Sequence, residues 1–317
     1  MTILQSILPI FLLIATGAIL QKLLPAQPDS SKLMCKLGLG SCLSWTSVLN
    51  KFALYLALPA VIIHSLATTG GENIISSELI LFNLAALIIF LLAVYLTVSL
   101  FNLPTNLVNT YLFGALLGNV AYIGPPFISS LYSNSSGTVS ILIAIHILIA
   151  FSLGLYILEH NSRDEAKVKH ILQSLCKNPL IIAVVLGIGL YLLQLQLPHS
   201  IERFLSMLAD SASPIVLIAI GTFLVKNWSI EEGIKHGLAI SALKLIIMPF
   251  VFLSALFFFP SSQNLSISIL EAAMPVALTN FALSDMYEMD QYVMSSAIII
   301  STIASAITLS VLAFLLV

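Results

Sequence analysis

Charged residues are scarce in this sequence of 317 residues. Asp, Glu, Lys and Arg together make up 8% of it, whereas about 25% is usual in a soluble globular domain. Hydrophobic residues make up 59%, and the mean hydropathy is +1.07. A chain with so little charge cannot cover its surface against water on all sides, so we expect most of it to lie in a lipid bilayer.

Basic clusters, cysteine motifs and enzyme signatures are also missing. The net charge is −2 and no run of Lys and Arg occurs, which excludes a nucleic-acid partner. The three cysteines (Cys35, Cys42 and Cys176) are odd in number and lack CxxC spacing, so neither a disulfide framework nor a zinc site is expected. The motifs HExxH and GxSxG are absent, and we expect neither an enzyme nor an organic cofactor.

Apolar stretches of about 20 residues, the length that spans a bilayer, recur along the whole chain. The first has no positive residue before it and no small-residue cleavage site after it, which favours a permanent span over a signal peptide. The ten predicted spans are Ile3–Leu24, Val48–Thr68, Leu79–Phe101, Leu107–Tyr132, Val139–Leu158, Pro179–Leu197, Phe204–Val225, Ile234–Phe259, Leu265–Met286 and Tyr292–Val317. The sequence therefore predicts an all-α, multi-pass protein of the cell membrane that contacts lipid.

Positive residues lie on one side of these spans. If both termini are outside, the inside segments hold Lys22, Lys32, Lys36, Lys51, Arg163, Lys167, Lys169, Lys177, Lys226 and Lys235, and the outside segments hold Arg203. Cytoplasmic loops collect positive charge. We therefore predict that both termini are external.

The ten spans divide into two halves with weak internal similarity. Pro9 and Gly17 in span one have the same separation as Pro179 and Gly187 in span six. The predicted units are a first five-helix repeat (1–158), a cytoplasmic linker (159–178) and a second five-helix repeat (179–317). Because each half has an odd number of spans, the two repeats have opposite orientations, an arrangement that is typical of secondary transporters.

Prolines and asparagines interrupt spans four and nine. Span four contains Asn119, Gly124, Pro125 and Pro126, and span nine contains Pro275 and Asn280. A proline removes a backbone donor and leaves a carbonyl without its helical partner, and such groups persist at membrane depth only inside protein or beside a watery cavity. The alternative is a simple kink packed against neighbouring helices. Two adjacent prolines in span four, matched by Pro275 and Asn280 in span nine, favour a substrate site instead.

Three charged residues fall within the predicted spans. Glu271 and Asp210 each precede a proline by four residues, so each carboxylate is expected near its own freed carbonyl and is a candidate for holding a coupling cation or proton. Asp210 could instead face water near a span end. Lys244 could pair with an acid, attract an anionic substrate or extend to the cytoplasmic surface, and its position favours the last.

Two histidines, His64 and His146, are isolated on apolar spans. A hydrogen-bonded buried histidine is the expected role of each, with a proton relay as the alternative.

Motifs in five of the spans occur together in one known family. They are Asn119 to Pro126 (NVAYIGPP), Glu271 to Pro275 (EAAMP), Ala57 to Ala60 (ALPA), Leu208 to Asp210 with Ala219 to Gly221, and Leu243-Lys244 with Pro249. They resemble, in the same order, motifs of the auxin efflux carrier family, which includes the plant PIN carriers and bacterial malate and malonate permeases.

The resemblance implies a fold shared with bile-acid/sodium symporters and certain sodium/proton antiporters. In that fold, helices four and nine unwind and cross near the membrane middle, and a mobile transport domain moves against a scaffold in an elevator-type cycle, as part of a homodimer. By motif, Asn119, Pro126 and Pro275 lie at the crossover. Half-helix N-termini there are expected to present N–H groups to a carboxylate.

Two departures from the plant carriers affect the expected mechanism. Glu271 stands where those carriers tend to have Gln, and their long cytoplasmic loop is missing. The acid favours proton or sodium coupling over an uncoupled uniporter and argues against auxin as the substrate. We therefore expect a secondary active transporter of small carboxylates, with a sodium-coupled bile-acid-type symporter and a non-transporting membrane sensor as alternatives.

Overall fold

The computed structural model describes residues 3–23, 45–68, 76–154, 156–157, 179–226, 233–284 and 287–317. The predicted linker (159–178) and the three cysteines therefore lie outside the described residues. The α-helices, in chain order, are α1 (Ile3–Leu23), α2 (Trp45–Phe52), α3 (Leu58–Thr68), α4 (Ser77–Leu100), α5 (Thr105–Leu116), α6 (Gly124–Leu131), α7 (Ser136–Ile149), α8 (Pro179–Leu192), α9 (His199–Lys226), α10 (Ile234–Ala242), α11 (Met248–Leu253), α12 (Gln263–Ala272), α13 (Thr279–Ser284) and α14 (Gln291–Leu316).

Short segments of other helix types continue some of these helices. π-Helical turns occur at Ala53–Ala57 between α2 and α3, at Ala150–Gly154 after α7, and at Leu243–Ile247 between α10 and α11. A 3-10 turn, Ser254–Phe257, follows α11. The all-α prediction is confirmed for the described residues, in which the one extended pairing is an isolated bridge between Gly118 and Val276.

Seven helical stretches in the described part of the chain are long and apolar enough to cross a membrane. They are Ser6–Leu23, Val48–Thr68, Ser77–Leu100, Ser136–Gly154, His199–Val225, Ile234–Phe257 and Gln291–Leu316. They correspond to predicted spans one, two, three, five, seven, eight and ten. The structure thus has the character of a multi-pass membrane protein.

The three other predicted spans are shorter or divided. Helix α8 in span six is apolar but has 14 residues, and it ends at Leu192 rather than at the predicted Leu197. The chain turns there, and Gln194 adopts a left-handed φ of 51°, a conformation that ends a right-handed helix. Spans four and nine each form two short helices, α5 with α6 and α12 with α13.

Glycines allow the closest helix packing, between α1 and α9. A methyl group placed on Gly221 would lie 1.9 Å from the carbonyl oxygen of Ile14, and one on Gly17 would lie 2.0 Å from that of Ile218. Contact between α8 and α3 also involves a glycine, because a methyl group on Gly187 would lie 2.7 Å from Leu66 Cδ1. Span one therefore packs against span seven, and span six packs against span two.

The remaining helices pack mainly among themselves. Helix α4 contacts α5 and α7, α10 contacts α14, and α11 contacts α12. Two hydrogen bonds of 2.8 Å tie α12 to its neighbours, from Ser268 to Asn83 on α4 and from Thr138 on α7 to Asn264. This group includes the two divided spans.

Candidate functional site

The interruption of span four lies just before its two prolines. Helix α5 ends at Leu116 and α6 begins at Gly124, so residues 117–123 are not α-helical. Pro125 and Pro126 occupy the first turn of α6, where a missing N–H costs little and the fixed φ suits a helix start. The prolines therefore begin a second helix and do not kink a continuous one.

The interruption of span nine surrounds Pro275. Helix α12 ends at Ala272 and α13 begins at Thr279. The sequence predicted that Pro275 leaves the carbonyl of Glu271 free, and this is wrong, because the N–H of Met274 donates to it at 3.3 Å. The chain tightens after the last helical turn, so the following N–H groups bond to the final carbonyls.

The two interruptions pair with each other in antiparallel fashion. The N–H of Asn119 donates to the carbonyl of Pro275 at 2.7 Å, and the N–H of Ala277 donates to that of Leu117 at 3.1 Å. Backbone groups that the broken helices leave unpaired are thereby satisfied within the protein. We call residues 117–123 and 273–278 the crossover.

Asn280 and Asn119 differ in their hydrogen bonding. The amide of Asn280 donates to the carbonyl of Phe113 in the last turn of α5 at 3.2 Å and to that of Leu117, just after α5, at 3.0 Å. Neither side-chain atom of Asn119 has a hydrogen-bond partner among the described residues, although the residue is 1% exposed. A buried amide without partners is costly.

Glu271 is fully buried on the last turn of α12. Both carboxylate oxygens lack a hydrogen-bond partner in the described part of the chain. A methyl group on Gly124 would lie 2.6 Å from Oε1, so the carboxylate lies against the first residue of α6, the positive end of that helix. Because Pro125 and Pro126 have no N–H, this helix end offers fewer backbone donors than the sequence led us to expect.

Lys244 lies in the π-helical turn of span eight and is fully buried. The prediction that it extends to the cytoplasmic surface is wrong. Its ammonium donates to the carbonyl of Ala272 at 3.2 Å and contacts Met248 Sδ at 2.9 Å. The sequence could not indicate this partner, because Ala272 is 28 residues away and offers its backbone.

Asp210 lies apart from the crossover, on the wall of a cavity of about 420 Å³. Helix α9 continues through Pro214, and the side chain of Asp210 is exposed. The cavity therefore brings Asp210 opposite Pro125 and Pro126, with His64 also in the lining. Pro214 does not break span seven, and the exposed side chain of Asp210 agrees with the alternative that this acid faces water near a span end.

Two further polar groups of this region have unsatisfied atoms. His146 bonds to the carbonyl of Leu142 through Nδ1 at 3.0 Å, while its Nε2 has no partner among the described residues, so it is only half satisfied. The hydroxyl of Tyr122 in the crossover is likewise buried and unpartnered within the described chain. Tyr122 was not among the predicted site residues, and its only signal in the sequence was its place between Asn119 and Gly124.

The described residues contain no group of three or more His, Cys, Asp or Glu side chains that could hold a metal ion. What the site offers is one amide, one carboxylate and one ammonium, all buried, beside two half-helix ends. Such a set suits recognition of a small charged molecule better than covalent chemistry.

Comparison with known proteins places this geometry in context. Residues 44–313 match a family model described as "Membrane transport protein". An uncharacterized transporter of Methanocaldococcus jannaschii is 24% identical over 85% of this chain and 89% of its own length. A protein of Rhizobium meliloti that is provisionally named a malonate transporter is 23% identical, over 87% of this chain and 88% of its own. An uncharacterized transporter of Escherichia coli is 22% identical over 82% of this chain and 85% of its own.

Proposed function

Because the chain belongs to the Membrane transport protein family, which is the auxin efflux carrier family, we propose that it is a secondary active transporter of small carboxylates. One observation carries this proposal: two divided spans cross in antiparallel pairing around a buried amide and a buried carboxylate that lack partners in the described chain. Discontinuous helices that meet at mid-membrane are the usual substrate and ion sites of secondary transporters.

Helix packing supports a carrier of ten spans in two inverted repeats. Span one (α1) packs on span seven (α9), and span six (α8) packs on span two (α3). A two-fold pseudo-symmetry axis that relates span one to span six and span two to span seven would produce these two matching contacts. The divided spans four and nine occupy matching places in the two halves, and their crossover bonds are reciprocal, from Asn119 to Pro275 and from Ala277 to Leu117.

The proposed orientation places the cavity on the external side. With the N-terminus outside, α9 runs inward from His199, so Asp210 lies in its outer half. The cavity extends from there to Pro125 and Pro126 at the start of α6, and its volume of about 420 Å³ lies within the range of small-molecule sites. This arrangement is that of a carrier open to the outside.

The substrate class follows from the groups beside the crossover. The amide of Asn119 and the positive end of α6 suit a carboxylate, and one relative is provisionally named a malonate transporter. Gly124 leaves room for the Glu271 carboxylate against this helix end, since any side chain there would meet it. Small mono- and dicarboxylates are therefore the proposed substrates.

Glu271 is the proposed coupling residue. Its buried carboxylate is costly to desolvate and lies where an anionic substrate would bind, so the two negative charges repel. Substrate then binds well when Glu271 is neutralised by a proton or a cation. Asp210, which is exposed in the cavity, is the second candidate.

Movement of one helix group against the other completes the proposed cycle. The scaffold comprises α1, α2, α3, α8 and α9, and the transport domain comprises α4 to α7 and α10 to α14. Both groups line the cavity. Asp210 and His64 belong to the scaffold, and Pro125 and Pro126 belong to the transport domain. An elevator-type displacement in a homodimer would carry the crossover past the scaffold wall.

A thermal-shift screen of the purified protein with mono- and dicarboxylates tests the substrate class. A carboxylate at 100 times its dissociation constant should add about 2.7 kcal/mol of apparent stability. Amines and neutral amides of the same size serve as controls and should give no shift. Stabilisation by neutral molecules in place of carboxylates would contradict the proposal.

A further inference from the structure

The ammonium of Lys244 occupies the end of a half-helix. Helix α12 ends at Ala272, and Lys244 Nζ donates to the carbonyl of that last residue at 3.2 Å. A methyl group on Gly118 in the crossover would lie 2.8 Å from Nζ, so the side chain reaches into the crossover itself. The C-terminus of a helix carries the negative end of its dipole and favours a cation.

The matching end of α5 is also occupied by a protein donor. Asn280 Nδ2 donates to the carbonyls of Phe113 and Leu117. In sodium-coupled carriers, unwound carbonyls and half-helix C-termini coordinate the sodium ion. Here a carbonyl at the end of each half-helix is bonded to a side chain of the chain itself, and one of these side chains is a lysine.

Glu271 and Lys244 form a buried unit of one acid and one base, without a direct ion pair. Lys244 Nζ bonds to the carbonyl of Ala272, the residue next to Glu271, yet the carboxylate has no hydrogen-bond partner in the described residues. The other titratable groups near the unit are His146, whose ring interacts with the charge of Lys244, and Tyr122 in the crossover. The lysine thus lies where a metal cation could otherwise bind beside the buried carboxylate.

We propose that Lys244 is a tethered cation in the place where sodium-coupled carriers of this architecture bind sodium, so that this transporter works without sodium and is coupled to protons through Glu271. The part that concerns transport, namely coupling to protons without sodium, rests on the proposed function. The structural part, an ammonium that fills a cation position, can be tested without any substrate.

The test compares thermal stability in sodium chloride and in choline chloride at equal ionic strength. For the wild-type protein we expect the same melting temperature in both salts. In choline chloride, Lys244→Ala should have a lower melting temperature than wild type. Sodium should raise the melting temperature of this variant by at least about 2 °C, the shift that roughly 1 kcal/mol produces in a protein of this size. Lys235→Ala, which removes a lysine at the start of α10 away from the crossover, should resemble wild type.

A second variant and an uptake assay complete the test. If Lys244→Ala does not fold in either salt, Lys244→Met, which is uncharged and of similar length, is judged by the same criterion. Sodium-specific stabilisation of the wild type, or a folded variant that does not respond to sodium, would overturn the proposal. Carboxylate uptake that requires sodium would overturn the proposal for Lys244 but leave the proposed function intact. If the protein neither binds nor takes up carboxylates, the proposed function is rejected and the salt comparison still stands.

Discussion

At the scale of single residues, two buried asparagines differ in how their amides are satisfied. Asn83 on α4 donates to the carbonyl of Leu79 at 2.8 Å and accepts from Ser268. Asn119 in the crossover has no side-chain partner in the described chain. Burial without partners weakens a folded protein, so a group of this kind persists when another role depends on it.

We therefore predict opposite effects of the same substitution at these two sites. Asn119→Ala should leave the melting temperature near that of wild type and lower carboxylate uptake about 10- to 100-fold, the effect of losing one hydrogen bond to a charged group. Asn83→Ala should lower stability by about 1–3 kcal/mol, because Ser268 loses its partner. Uptake and melting curves of both variants check this, and equal uptake by Asn119→Ala and wild type would place the site elsewhere.

Substitution of Pro275 tests the crossover backbone. Pro275→Ala adds an N–H in a segment whose carbonyl pairs with Asn119, so it should lower transport more than it lowers folded yield. Pro249→Ala, at the start of α11, is the matched control and should leave transport unchanged. If the two variants behave alike, the interruption of span nine has a structural role only.

Glu271→Gln tests the coupling residue. Affinity of the wild-type protein for carboxylate should rise as pH falls, because protonation of Glu271 removes the repulsion between two negative charges. The Gln variant should bind carboxylate with little dependence on pH but fail to concentrate it against a gradient. Glu78→Gln, at the exposed start of α4, should behave like wild type.

The pH profile decides whether Glu271 takes part. Uphill accumulation by Glu271→Gln with the pH dependence of wild type would make it a bystander, and Asp210 would become the better candidate. Asp210→Asn is then the variant to measure, since Asp210 lines the cavity that reaches Pro125 and Pro126.

At the scale of helices, the prolines of this chain act in two ways. Pro9 and Pro214 lie inside continuous helices, α1 and α9, whereas the pair Pro125-Pro126 begins a new helix and Pro275 lies within a break. The sequence predicted breaks in spans four and nine because prolines coincide there with asparagines. It could not predict that the crossover would satisfy its own backbone, since those bonds join residues more than 150 positions apart in the sequence.

Lys244 shows the same limit for a side chain. Lysine within a span usually reaches the membrane surface. Here the side chain of Lys244 instead turns inward, to a carbonyl at the end of α12, a segment distant in the sequence. The π-helical turn around it adds a residue to the helix and is a feature often found at functional sites. No local pattern in the sequence predicted that turn.

Close packing of α1 on α9 gives a prediction for the helix scale. Gly221→Ala should destabilise the protein by about 1–3 kcal/mol or more, because its methyl group would lie 1.9 Å from the carbonyl of Ile14 and the two helices must separate. Gly189→Ala on α8, where no atom lies within 4 Å of the added methyl group, should leave the melting temperature unchanged. Equal melting temperatures for both variants would show that α1 and α9 are not in close contact.

At the scale of the whole molecule, charge asymmetry between loops sets the expected orientation. In a background with Cys35, Cys42 and Cys176 replaced by serine, we predict that Thr2→Cys reacts with an impermeant thiol reagent in intact cells. Lys167→Cys should react only after the cells are opened. The reverse pattern would invert the orientation and place the cavity on the cytoplasmic side.

The composition and the spacing of apolar stretches were sufficient to predict a multi-pass helical protein. The ends of spans were less predictable, because helices α8 and α9 begin or end at turns that depend on single residues such as Gln194. For the candidate site, the structure brings together Asn119, Pro275 and Glu271, which the sequence predicted as site residues, and it places Asp210 apart from them on the cavity wall.

Uphill uptake in sealed proteoliposomes tests the central claim most directly, namely that the crossover belongs to a carboxylate carrier. Wild-type protein should accumulate labelled malonate, or the carboxylate that stabilises it most, above the external concentration when the outside is acidic. Accumulation should disappear with Asn119→Ala and with collapse of the pH gradient. Carboxylate that binds to the protein but never accumulates in the vesicles would contradict the account and indicate a membrane sensor.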